Sequence, residues 1–172
     1  STSRSIECYE RLKGQGPTGA AVFNPMSTGA TFAITEKAPV DKIPLITMGY
    51  GRSESRNGGV FPWNFPIYGT YWTAADVLIT HLGNINGDIN NLKGKKIALV
   101  YHDSPFGKEP IPLLEKRAEM LGFELLSIPV THPGVEQKSA WIQIRKQKPD
   151  YVLLWGWGVM NSTAIKEAAG VR

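Results

Sequence analysis

KKIALVYHDSPFGKEPIPLLEKRAEMLGFELLSIPV, residues 95–130, holds a complete strand–helix–strand unit. IALVY (97–101) is a short run of branched and aromatic residues, apolar throughout, as in a strand covered on both faces. Ile111, Leu114, Ala118 and Leu121 then recur at spacings of three and four, which puts them on one face of a helix, and Gly122 is the residue that stops it. FELLSIPV (123–130) reads as the next strand. Two strands joined through a helix lie parallel. The same alternation extends outward in both directions. AAVF (20–23), IPLITM (43–48) and YVLLW (151–155) read as further strands. Helices are expected at the N-terminus, where Ile6, Tyr9 and Leu12 form a stripe, through Ala30–Lys37, over about 69–82, and over about 137–147 with Ala140, Trp141 and Ile144 as the apolar side. A last helix is expected from Asn161, whose side chain would cap it, to Gly170. The fold class that follows is α/β, with parallel sheets flanked by helices.

One stretch interrupts the alternation. GYGRSESRNGGVFPWNFP (49–66) is rich in glycine, carries two prolines and shows little helical pattern. It divides the chain into an expected first lobe, 1–65, and second lobe, 66–172, with a hinge crossing near 60–67. The 172 residues fit roughly one domain or two small lobes. Hydrophobic residues at 42% and charged residues at 20% are those of an ordinary globular chain and exclude a disordered or fibrous one. A net charge of +4, spread along the sequence, does not point to nucleic acid. Cys8 is the single cysteine, so neither an internal disulfide nor a cysteine metal site can form. No apolar run approaches the roughly 20 residues that cross a bilayer, and STSRSIECYERL lacks the apolar core of a signal peptide. The final STAIKEAAGVR ends as a helix that a strand should follow, as in a piece of a longer protein.

Catalytic chemistry is poorly represented. His102-Asp103-Ser104 has the residue types of a hydrolase triad, but adjacent residues do not orient one another in series. GYGRSE (49–54) lacks the third glycine of a dinucleotide fingerprint. His81, His102 and His132 are far apart in sequence, without ligand spacing for a metal. The reading is therefore no enzyme, no cofactor and no metal. The residues of interest lie where strands end, the place where ligands bind in open α/β sheets. Ser27 and Thr28 follow AAVF at a helix N-terminus suited to a carboxylate or amide oxygen, although one hydroxyl that merely caps the helix accounts for them equally well. Gly49, Tyr50 and Gly51 follow the second strand and let a ligand approach the backbone, as a plain turn also would. Phe106 follows IALVY, Trp155 ends YVLLW, and Trp157 follows it between glycines. Trp155 reads equally well as core.

In order and spacing these pieces resemble the type I periplasmic solute-binding proteins of ABC transporters, in the group that includes the leucine/isoleucine/valine-binding proteins. NPMSTGAT (24–31) resembles the family's G-P-x-x-S-G turn. KKIALVYHDSPFGKE (95–109) resembles its strand followed by D-x-x-[YF]-G. PGVEQKSAWIQIRKQKPDYVLLWGWG (133–158) resembles its P-G-x-x-D-[FY]-S-A helix leading to a P-D-x-[VI] strand. IPLITMGYG (43–51), the G-F-E run at 122–124 and IKEAAGVR (165–172) fall in their places between and after these.

The resemblance implies a two-lobed type I periplasmic-binding-protein fold, here its middle portion, and a substrate-binding subunit of an ABC importer that closes on a small ligand by hinge motion. It implies a periplasmic location, a small-molecule ligand, a membrane permease as partner, and neither nucleic-acid binding nor membrane insertion. The ligand-carboxylate hydroxyl falls on Thr28 beside Ser27, the ligand-holding backbone on Gly49, Tyr50 and Gly51, and the covering aromatics on Phe106 and Trp157. Departures are informative: Asn24 stands for the family's glycine, Gln137 for its aspartate, and Tyr50 is bulky where small residues are frequent. Phe106 and the large Trp157 favour a planar or aromatic ligand over a small aliphatic amino acid. A cytosolic ligand-sensing regulator shares the fold and is the alternative reading.

Overall fold

A computed structural model describes residues 1–171. The chain divides into two compact units, Ser1–Ala74 and Ala75–Arg172, and the glycine- and proline-rich stretch 49–66 lies wholly in the first. Its elements are α1 (Thr2–Leu12), α2 (Thr28–Thr35), α3 (Ala38–Asp41), β1 (Leu45–Thr47) and β2 (Asn64–Pro66). β1 and β2 pair in parallel, with Leu45 opposite Asn64 and Thr47 opposite Pro66. The core gathers Tyr9, Ala30, Ile34, Ala38 and Leu45, all at most 1% exposed. Tyr9 meets Phe23 edge-on, with ring centroids 4.9 Å apart. Its hydroxyl donates to Asp41 Oδ2 at 2.7 Å, and Lys13 Nζ donates to Asp41 Oδ1 at 3.0 Å. These two donors hold the Asp41 carboxyl below the ordinary aspartate range, while burial and then the neighbouring carboxylate push the Tyr9 phenol up.

AAVF does not form the expected strand. Only Phe23 bridges, opposite Leu45: its N–H donates to Pro44 O at 2.9 Å and its carbonyl accepts from Ile46 N at 3.0 Å. The ladder is cut off on both sides. Ala20 N–H donates to Lys13 O next to α1, and Asn24 Oδ1 accepts from Met26 N in a local turn. β1 is likewise shorter than the apolar run 43–48, because Pro44 has no N–H to donate and Gly49, at φ +97°, turns the chain away.

The second unit is built from α4 (Tyr71–Ile85), β3 (Lys96–His102), α5 (Pro105–Lys108), α6 (Ile111–Leu121), β4 (Glu124–Val130), α7 (Lys138–Gln147), β5 (Tyr151–Trp155) and α8 (Val159–Gly170), with α4 entering from the first. The sheet order is β4-β3-β5, all parallel. β3 is central, and its alternation decides both cores. Ile97 and Leu99 pack with Ala75, Ile79 and Leu82 of α4 and Leu114 of α6. Ala98 and Val100 pack with Trp141 and Ile144 of α7 and Met160 of α8. Cover on both faces, expected of every strand, fails at β5, where Val152 and Leu154 are 38% and 37% exposed. Asn161 is not the cap of the last helix either. Gly158, at φ 60°, turns the chain straight into α8 and leaves Asn161 inside the first turn.

Candidate functional site

In the first unit, local hydrogen bonding assigns the hydroxyls of the α2 turn. Ser27 is the N-cap, its Oγ accepting from Ala30 N at 3.4 Å, so the capping role belongs to Ser27 and not to Thr28. Thr28, 4% exposed, opens the helix. Gly51 lies directly against it: a Cβ at residue 51 would overlap the Thr28 methyl, and φ at +23° also requires glycine. The turn after β1 and the start of α2, 23 residues apart in sequence, therefore form one surface. Tyr50 joins it through its hydroxyl, which bonds Asn24 Oδ1. Two departures from the family pattern, Asn24 and Tyr50, thus satisfy each other.

Next to this surface the Arg52 guanidinium lies over the rings of Phe32 (5.3 Å) and Phe61 (4.8 Å), with Glu36 and Glu54 each 3.6 Å away. A groove of about 660 Å³, lined by Ser55, Asn64, Phe65, Thr70 and Thr73 among others, also belongs to the first unit. Asn64 Oδ1, buried there, has no hydrogen-bond partner. Sequence reasoning did not find this groove, because its lining comes from the stretch that carries no periodic pattern.

In the second unit, three parallel strands bring their carboxyl ends to one edge. Gly107 lets α5 fold back over β3: a Cβ there would overlap the His102 carbonyl. Ser104 caps this short helix, its Oγ accepting from Gly107 N at 3.4 Å. Phe106 stacks on Trp155, centroids 6.0 Å apart at 22°, and accepts at its carbonyl from Trp155 Nε1 at 3.3 Å. Trp155 also packs against the core under β3, whereas Trp157 is 55% exposed. The two tryptophans have different roles: one braces the platform and the other is presented from it.

His102 and His132 are the pair that sequence spacing kept apart. His102 closes β3 at 2% exposure, and its Nε2 lies 3.0 Å from His132 Nδ1. The register could have found them, since residue 102 stands opposite 130 and residue 132 is two further along the same end. Trp157 flanks both rings, at 5.7 Å from His102 and stacked at 6.2 Å and 26° on His132. Burial and the neighbouring imidazole push His102 below the ordinary histidine value, against the opposing pull of Asp103. Asp103 itself turns away to Lys108, 2.8 Å from Nζ. No relay of serine, histidine and aspartate is present in His102-Asp103-Ser104, where the carboxylate serves the lysine instead.

A parallel sheet whose central strand is covered on both faces, with polar and aromatic residues at the strand ends, has the form in which open α/β proteins bind ligands. The chain belongs to the periplasmic binding protein family, whose model matches residues 1–171. Its architecture is that of the type I periplasmic-binding-protein fold. It is similar, at 46% identity and a TM-score of 0.87, to a protein described as an ABC transporter permease from the Pseudomonas fluorescens group, covering 99% of this chain and 41% of that one. At 20% identity and a TM-score of 0.83 it shares the fold of a branched-chain amino acid ABC transporter protein from Thermus thermophilus with bound valine, covering 99% of this chain and 43% of that one. At 21% and 0.76 it shares that of a solute-binding protein from R. palustris in complex with benzoate, covering 99% and 44%. The chain thus spans less than half the length of these solved structures. None of the curated proteins matches the sequence.

Proposed function

We propose that the protein is an extracytoplasmic substrate-binding subunit of an ABC importer, which captures a small ligand between two lobes by hinge closure near residues 60–67 and delivers it to a membrane permease. Thr28 with Ser27 and the Gly49–Gly51 backbone receive the ligand's polar end, and Phe106, Trp155 and Trp157 supply the aromatic side. No nucleophile, metal or cofactor takes part. The observation that carries the reading is Trp157, exposed beside the strand ends, with Trp155 bracing Phe106. A large exposed ring among glycines fits a planar ligand surface, and an aromatic carboxylate is the preferred class over amides and aliphatic amino acids.

A thermal-shift screen of the whole protein against aromatic carboxylates, amino acids and small amides tests it. A ligand at 100 times its dissociation constant adds about 2.7 kcal/mol of stability. An aromatic acid should raise the midpoint, and Trp157→Ala should weaken its binding about tenfold or more while leaving the unliganded stability within about 0.5 kcal/mol. A response to aliphatic amino acids alone would remove the aromatic class and keep the transport role. No response to any of the three would overturn the role.

A further inference from the structure

His102 and His132 can take up one added proton and keep their hydrogen bond, but not two. Ser104 Oγ lies 2.8 Å from His102 Nδ1, and His102 Nε2 lies 3.0 Å from His132 Nδ1, so the three groups form one chain of hydrogen bonds. Each neutral arrangement places one hydrogen in each link. Adding one proton keeps both links: His132 Nδ1–H donates to His102 Nε2, His102 Nδ1–H donates to Ser104 Oγ, and His132 Nε2–H is left as a charged donor. A second proton would set Nε2–H against Nδ1–H across 3.0 Å and break the chain.

The two rings differ in their surroundings. His102 is buried and resists carrying charge itself, whereas His132 is exposed. Trp157 stacks on the His132 ring, with centroids 6.2 Å apart. Of the fixed charges nearby, Asp103 is paired with Lys108 at 2.8 Å and still pulls the His102 value upward. On the side of α7 and α8 the turn after His132 is held by a neutral group, Gln137, whose Nε2 donates to Gly134 O at 2.6 Å and Met160 O at 2.8 Å. Glu136, in the same connection, is exposed to solvent.

We propose that His132 is an anion contact of the second unit, a proton-linked donor to the ligand's carboxylate in addition to the Thr28 hydroxyl, oriented by His102 and Ser104 and placed beside Trp157. This rests on the ligand-binding reading and gives it a chemical preference: acids, bound more tightly as pH falls. An unperturbed imidazole changes charge between about pH 5 and 8, while a carboxylate stays ionised throughout that range. The pH dependence therefore comes from the protein.

Isothermal titration of the whole protein with benzoate and with valine, at pH 5.5 and 8.0, tests the proposal. For whichever binds, affinity should be about tenfold higher at pH 5.5, equivalent to one pK unit of coupling. In His132→Gln, a change at an exposed side chain, the pH dependence should vanish, with affinity at pH 5.5 no higher than at pH 8.0. Binding that is independent of pH, or a pH dependence that survives in His132→Gln, overturns the proton-linked contact and leaves the binding function standing. No binding of either acid at either pH overturns both.

Discussion

The strand β3 and the strand β1 occupy equivalent places in their units, yet they are built to different strengths. β3 is paired along seven residues with β4 and along five with β5, and it buries side chains on both faces. β1 has three residues, one short partner and a single bridge to Phe23. The candidate site residues differ in the same way. Those of the second unit are aromatic and imidazole side chains set on a stiff platform. Those of the first are a hydroxyl and turn backbone, fixed by glycine geometry and by the Tyr50–Asn24 bond. A periodic apolar run produces a platform, whereas a glycine-rich turn produces a shape that only its neighbours can hold.

Truncating the matching leucine in each unit should give the largest effect. Leu99 and Leu45 are both fully buried. Leu99→Ala is expected to cost about 3–5 kcal/mol and Leu45→Ala about 2–3 kcal/mol, because the short sheet around β1 can relax further into the space left behind. Urea unfolding of the two variants measures the difference, and equal or reversed costs would break the comparison.

The next largest effect concerns glycine. Gly107→Ala forces a methyl group onto the His102 carbonyl and should cost about 1–3 kcal/mol, whereas Gly58→Ala, with open space around it, should stay within about 0.5 kcal/mol. If calorimetric midpoints moved equally for both, α5 would not be held by that close approach.

The smallest effect separates the units by pH. Asp41 ties α1 to α3, and its carboxyl is depressed first by the Tyr9 hydroxyl and then by Lys13. A depressed carboxylate contributes stability that is complete above its unfolded value near 3.8 and is lost as pH falls through the lower native value. Acid unfolding followed by amide exchange should therefore release α1 amides earlier than β3 amides, and Asp41→Asn should flatten the acid dependence of α1. A variant with the acid limb of the parent would show that the Tyr9–Asp41 link carries no stability.

Legibility in the sequence followed the same division. The helix 111–121 and the strand 151–155 were readable to the residue, since each carries a full period of apolar side chains bounded by a glycine or a polar turn. AAVF had the composition of a strand and lacked partners for it, which composition does not record. Asn161 has the chemistry of a cap, and a glycine three residues earlier had already begun the helix. Thr28 and Gly51 were each readable as strand-end residues, but their contact with each other was not.

By itself, the sequence determined the α/β alternation, the parallel sheets and the family, because burial on one or two faces imposes a period that survives in a one-dimensional string. Only the tertiary structure decided which strand-end residues meet. Thirty residues separate His102 from His132, and a parallel register that no local pattern encodes brings a nitrogen of each ring within 3.0 Å. The fold follows from repeated, local and redundant signals, whereas the pairing of two imidazoles depends on a single long-range alignment of backbone hydrogen bonds.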